Sequence, residues 1–224
     1  MSSPVLLEKI EKLTSDGSVA LRTGQVKPFT GFPEKFDRTF SVSLKFFEGR
    51  AVQDALNLAI FDWLRPVKGI ELYRVITDFF LHTTLLEGVW EGSPSVAPSI
   101  FELVSNDPRL KRVAAMPPVT IAFSRLVPAF GTLIMNSVDM LRTVAERRAA
   151  LAAVYREYGL TVLTMDDILH STLGRLTKID AGTDIGGYLQ EVGAMDRILE
   201  GQPLVLTSTE VYVGPPRGVL KRIM

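Results

Sequence analysis

Both histidines of this 224-residue chain stand in one repeated pentapeptide, "LHTTL" at residues 81–85 and "LHSTL" at residues 169–173. Four of the five letters agree, so coincidence accounts poorly for it, and the copies lie 88 residues apart. Each copy sits in a stretch that reads as extended. "ELYRVITDFFLHTTLLEG" is too β-branched and aromatic for a good helix, with a bend expected near Asp78, and "DDILHSTLGRLTK" reads the same way. The order strand, helix, strand with the histidine motif is followed by strands, helix and strand with the histidine motif. The chain is therefore an imperfect duplication, and its fold must place two similar halves in relation to one another.

The remaining segments fill in that scheme. "PVLLEKIEKL" (residues 4–13) spaces Val5, Leu6, Ile10 and Leu13 for a short docking helix that the following "SDGS" should stop. Residues 24–37, rich in Gly, Pro and Phe, read as a loop whose aromatic residues lie over a core or a cleft. "RTFSVSLKF" alternates Phe40, Val42, Leu44 and Phe46 against polar residues, the period of a half-buried strand. "AVQDALNLAIFDWL" has helical spacing. A Pro/Ser-rich loop (92–99), a short helix near 100–104 and two strands, "PVTIAFSRLVP" and "FGTLIMNSV", follow. The longest helix is expected over "SVDMLRTVAERRAALAAVYREYG", with Asp139 near its start and Gly159 at its end. "IGGYLQEVGAMDRIL" reads as a helix and "PLVLTSTEVYVG" as one closing strand. Without a regular βαβ rhythm, the class is α+β: a bilobal fold of two antiparallel sheets with flanking helices, related by a pseudo-twofold around a central cleft. Residues 1–37 form an N-terminal extension and residues 38–224 the bilobal domain.

Composition narrows the partners. Lys plus Arg equals Asp plus Glu at 25 each, so no global field favours long double-stranded nucleic acid or an anionic membrane surface, and any phosphate must be held locally. No cysteine is present, which removes disulfides, thiolate metal sites and thiol nucleophiles and suits a cytoplasmic location. No stretch has the roughly 20 apolar residues needed to span a bilayer.

On a strand, residues two apart leave the same face, so His82 projects with Thr84 and His170 with Thr172. Should both pairs meet at one cleft, two imidazoles and two hydroxyls surround one anionic group. That set fits phosphodiester cleavage, where the attacking oxygen loses a proton while the departing one gains a proton. Imidazole titrates near neutrality, so one ring works as base while the other works as acid, and the hydroxyls donate to the non-bridging oxygens. Neither a metal nor another cofactor is called for.

The two pentapeptides, their 88-residue separation, the helix ending at Gly159 before the second copy and Arg175 in "HSTLGR" resemble the two-histidine (2H) phosphoesterase superfamily, whose signature is His-x-Ser/Thr-hydrophobic occurring twice. The resemblance spans about residues 38–213. It implies that His82 and His170 are the acid/base pair, that Thr84 and Thr172 are phosphate-binding hydroxyls, and that Leu85 and Leu173 pack the strands. It implies a third phosphate ligand in Arg175, although strict alternation puts Arg175 on the face opposite His170 unless a bulge at Gly174 re-aims it. The proline often found just before the family's second motif is absent here. The implied substrate is a nucleotide or short RNA terminus carrying a 2',3'-cyclic phosphate or a 2'-5' linkage. The alternative is a module that binds such phosphorylated ends without turnover.

Other features read more plainly. Asp78, Glu87, Asp166 and Asp167 flank the motifs, yet each motif supplies one histidine and no carboxylate at ligand spacing, which argues against a metal site. "AGTDIGG" (181–187) is a turn. "ERR" (146–148) is expected on a solvated helix face rather than in a phosphate patch. Phe47, Trp90 and Tyr212 have faces that accept a base, but core packing is the expected use of each.

Overall fold

The computed structural model of the protein describes residues 4–31, 38–46, 69–74, 81–163, 168–208, 210–214 and 221–223. The expected helix over 51–64 and the bend near Asp78 lie outside these residues, as do Phe47, Asp166 and Asp167. In chain order the elements are α1 (Pro4–Arg22), β1 (Thr39–Lys45), β2 (Ile70–Arg74), β3 (His82–Trp90), α2 (Ala97–Ser105), α3 (Pro108–Ala114), β4 (Val119–Ala129), β5 (Thr132–Asp139), α4 (Val144–Glu157), β6 (Leu160–Val162), β7 (Leu169–Ile179), α5 (Ile185–Gly201), β8 (Leu204–Ser208), β9 (Glu210–Gly214) and β10 (Lys221–Arg222).

The strands form two five-stranded antiparallel sheets, ordered β10-β9-β1-β3-β6 and β2-β7-β5-β4-β8, so the α+β class with two antiparallel sheets holds. Each sheet carries one histidine strand, β3 in the first and β7 in the second. The equivalence goes further. β1 lies beside β3 as β5 lies beside β7, and the strand just before each histidine strand crosses to the other sheet: β2 pairs with β7, and β6 pairs with β3. "PLVLTSTEVYVG" likewise divides, its first part (β8) joining the second sheet and its second part (β9) the first. One closing strand was expected. The alternating apolar residues of β8 and β9 serve different sheets, a division that local periodicity does not reveal.

One continuous core joins the sheets. From the first sheet it takes Phe40, Val42, Leu44 and Leu85, and from the second Phe123, Leu133, Met135 and Leu173. Helix α4 covers the first sheet, where the Tyr155 hydroxyl donates to the Phe40 carbonyl and its ring lies so close to Gly88 that a Cβ there would stand 2.4 Å away. Helix α5 braces β4, with Asp196 accepting from the Leu126 backbone N–H at 2.6 Å and ion-pairing with Arg125.

Two helices depart from expectation. α1 runs through "SDGS" to Arg22 instead of stopping near residue 13. Its Leu6, Ile10 and Leu13 pack against Val127, Ile134 and Ile168, while Ala20 and Leu21 reach the main core. Gly17 is a contact point rather than a stop: a Cβ there would lie 1.8 Å from the Pro128 carbonyl oxygen, so only glycine lets the helix press onto β4. α4 starts at Val144, later than its sequence pattern indicated, because Ser137–Asp139 end strand β5. The Asp139 carboxylate then accepts from the N–H groups of Leu141 (3.1 Å) and Val144 (2.8 Å), satisfying donors at the helix start.

Candidate active site

The two histidine strands meet at the middle residues of their motifs. Thr83 and Ser171, both fully buried, join their hydroxyls at 2.9 Å. Since neighbouring residues on a strand point to opposite faces, His82 and Thr84 leave β3 on the other side from Thr83, and His170 and Thr172 leave β7 on the other side from Ser171. Burial follows this alternation: the four motif side chains are partly exposed, and the residues between them are buried.

Each motif ends in a β-bulge. On β3, Ser43 faces Thr84 and Val42 faces Leu86, so Leu85 is the extra residue. On β7, Ile134 faces Thr172 and Leu133 faces Gly174, so Leu173 is the extra residue. Both leucines are 0% exposed, and burying each contributes roughly 2 kcal/mol. A bulge reverses the alternation beyond it. Arg175 therefore stands opposite Thr132, on the face shared by Thr172, Ile134 and His170, and strict alternation fails where the sequence reading had allowed for a bulge. The bulge lies at Leu173, one residue before Gly174. By the same step Glu87, opposite Ser41, joins the face of His82 and Thr84.

Electrostatics link these groups. Burial, the largest influence, pushes the His170 imidazole below its ordinary pKa; His82, Arg148 and Arg175 push it the same way, and the Ile168 backbone opposes them. Burial likewise lowers Arg175, while Glu87 and Tyr73 hold it charged. Glu87 and Arg175 thus carry opposite charges at equivalent places 88 residues apart. The sequence alone marks Glu87 only as a flanking carboxylate. The signal for its place was the offset itself, which becomes usable once both bulges are known.

The surroundings of the two halves differ. Across from His82 stands Lys45, which ion-pairs with Glu210 at 3.3 Å and lies 5.5 Å from the centre of the Tyr212 ring. Tyr212 faces Ser43, which faces Thr84, so Tyr212 shares the His82 face and donates its hydroxyl to Glu210 at 2.9 Å instead of packing in the core. Trp90 lies at the far end of β3, its indole N–H donating to the Ser93 carbonyl. Across from His170 stands the buried Asn136, and Ile134 and Ile168 add apolar surface under α1. Phe29, from the Gly/Pro/Phe-rich loop, completes this side: its ring is 5.2 Å from the Arg175 guanidinium and stacks on Tyr73 at 5.6 Å. Tyr73 is the strand partner of Arg175.

"ERR" is not a solvated face. Arg147 is 2% exposed and its Nη2 donates to the Pro117 carbonyl, while Arg148 is half-buried and its Nε donates to the Leu85 carbonyl at 2.7 Å. The start of α4 is turned inward because Asp139 fixes its first turn, and that placement decides which side of the helix these arginines occupy. "AGTDIGG" is the expected turn, with Asp184 capping α5 through the Gly187 N–H. Among the described residues, no three His, Cys, Asp or Glu side chains gather at metal-binding distance.

No family model and no curated protein matches the chain. Among solved structures it is similar to Kluyveromyces marxianus Usb1 with uridine monophosphate, at 11% identity and a TM-score of 0.47, covering 84% of this chain and 98% of that one. It is similar in the same way to a second structure of Kluyveromyces marxianus Usb1, with a TM-score of 0.45, 11% identity and the same coverage.

Proposed function

We propose that the protein is a phosphodiesterase that hydrolyses 2',3'-cyclic phosphates or 2'-5' linkages at nucleotide or short RNA ends, with His170 as general base and His82 as general acid. The observation that carries this reading is the pairing of the two motifs at Thr83 and Ser171, from which both His-Thr pairs project on the opposite side. The division of labour follows from His170. An imidazole whose pKa is depressed by burial is neutral at neutral pH, so one ring nitrogen is available to accept a proton.

In the reaction, His170 takes a proton from a water as its oxygen forms a bond to phosphorus. The bond from phosphorus to a ribose oxygen breaks, and His82 supplies that oxygen with a proton. Thr84 and Thr172 donate to the non-bridging oxygens, and Arg175 offsets their charge. A zero net charge suits a small ligand or a short end over a long RNA.

The test is incubation of the purified protein, in EDTA, with 2',3'-cyclic nucleotides. Nucleoside monophosphate is the expected product, and His82→Ala and His170→Ala should each slow its formation by roughly 10²- to 10⁴-fold. Replacing Thr84 or Thr172 with Val should cost on the order of 10²-fold. Full turnover by either histidine variant would sink the mechanism, and tight binding without product would leave a recognition module.

A further inference from the structure

A β-bulge takes one residue out of the regular ladder, and the backbone polar groups beside it need other partners. At the β3 bulge the residue is Leu85, 0% exposed, and its carbonyl accepts from Arg148 Nε at 2.7 Å. That bulge follows directly on His82-Thr83-Thr84 and sets which residues share their face. Arg148 is therefore attached to the backbone that carries the first histidine.

The helix that supplies it is fixed to the second sheet. Asp139, at the end of β5, holds the α4 start through Val144 N–H, and the neighbouring Arg147 donates to Pro117, two residues before β4. Consecutive arginines thus tie one helical turn to both sheets, Arg147 to the strand entry of the second and Arg148 to the bulge of the first. The charge of Arg148 also acts on His170 across the junction.

We propose that Arg148 is a positioning residue of the two-histidine centre, locking the Leu85 bulge beneath His82 and Thr84 through its hydrogen bond to the Leu85 carbonyl. This rests on the phosphodiesterase reading above. The lock requires a planar guanidinium whose Nε reaches the carbonyl. Lysine keeps the charge without that geometry.

Among the described residues, His82 from β3, Arg175 from β7 and Arg148 from α4 act on His170, and Glu87 from β3 acts on Arg175; Arg125 on β4 is paired with Asp196, and Lys45 on β1 with Glu210. α1 contributes apolar side chains to this face. Removing the Arg148 charge leaves His170 easier to protonate.

The experiment compares Arg148→Met and Arg148→Lys with the wild type by kcat, KM and pH profile on a 2',3'-cyclic nucleotide, and by NMR titration of the His170 ring. Arg148→Met should lower kcat by on the order of 10²-fold, with a smaller change in KM, as expected for a small misplacement of a reacting group. Its acidic limb and its His170 titration should both move to higher pH. Arg148→Lys should lose part of kcat while both titrations stay at the wild-type position. Wild-type kcat in Arg148→Met overturns the proposal, and so does a loss of kcat with the His170 titration unmoved. If Arg148→Met does not fold, Arg148→Lys decides: wild-type kcat, or a displaced titration, overturns it. A wild type that turns over no cyclic nucleotide removes the phosphodiesterase reading, while the His170 titration in the variants still judges the charge of Arg148.

Discussion

The hydroxyls of Thr83 and Ser171 hydrogen-bond to each other at 2.9 Å in the buried seam between the two histidine strands. Each is the variable letter of its pentapeptide, so the position that separates the two copies is also the one that joins them. Thr83→Val or Ser171→Ala alone leaves a buried hydroxyl without its partner and should cost about 1–3 kcal/mol in denaturant unfolding. The double variant should cost clearly less than the sum of the two. Additive losses would mean that the hydroxyls do not interact.

Gly17→Ala tests the seat of α1. Helix propensity alone predicts a gain of about 1 kcal/mol. The Pro128 carbonyl, 1.8 Å from the added Cβ position, predicts the reverse, because the helix must lift from β4. We expect a loss of about 1–3 kcal/mol by thermal or denaturant unfolding, in the range of overpacked sites; a more stable variant would contradict the packing described.

Phe29→Ala removes a ring that covers both Tyr73 and Arg175. The loss should be about 1–2 kcal/mol, combining an aromatic pair with a partly exposed cation–π contact. Because Arg175 then loses its cover on the side proposed to bind phosphate, KM for a cyclic nucleotide should rise more than kcat falls. Steady-state kinetics with unchanged KM would separate Phe29 from the site.

Stability should also depend on pH through His170. Its pKa in the folded protein lies below the ordinary value of 6.5, so between the two values the unfolded chain binds a proton that the folded one refuses. Unfolding free energy should therefore rise with pH through the window just below 6.5 and flatten above it. His170→Gln should lose that part of the slope, and an unchanged slope would place the titration elsewhere.

Much of the site was legible because histidine and threonine two residues apart on a strand must share a face, whatever the sheet does next. Beyond each motif legibility ended. A bulge changes face parity without changing the letters, so the side taken by Arg175 depended on one extra residue, and Glu87 was hidden for the same reason. Arg148 carried no local signal: "ERR" on an Ala-rich helix looks solvated until Asp139 sets where the helix begins. The α+β class followed from the mixture of strand and helix patterns. The routing of β2, β6, β8 and β9 between sheets did not, because period-two alternation states that a strand has an inner face and says nothing of which neighbour covers it.

The reciprocal crossing of β2 and β6 has a consequence for how the molecule comes apart. Each half of the duplication holds a histidine strand but takes the outer neighbour of that strand from its twin. A fragment ending near residue 115 would keep His82 and lack β6, and its complement would keep His170 and lack β2. The halves are interlocked like clasped hands, and no single-lobed species can be assembled from contiguous sequence. Melting and the separation of the two imidazoles should then be one cooperative event.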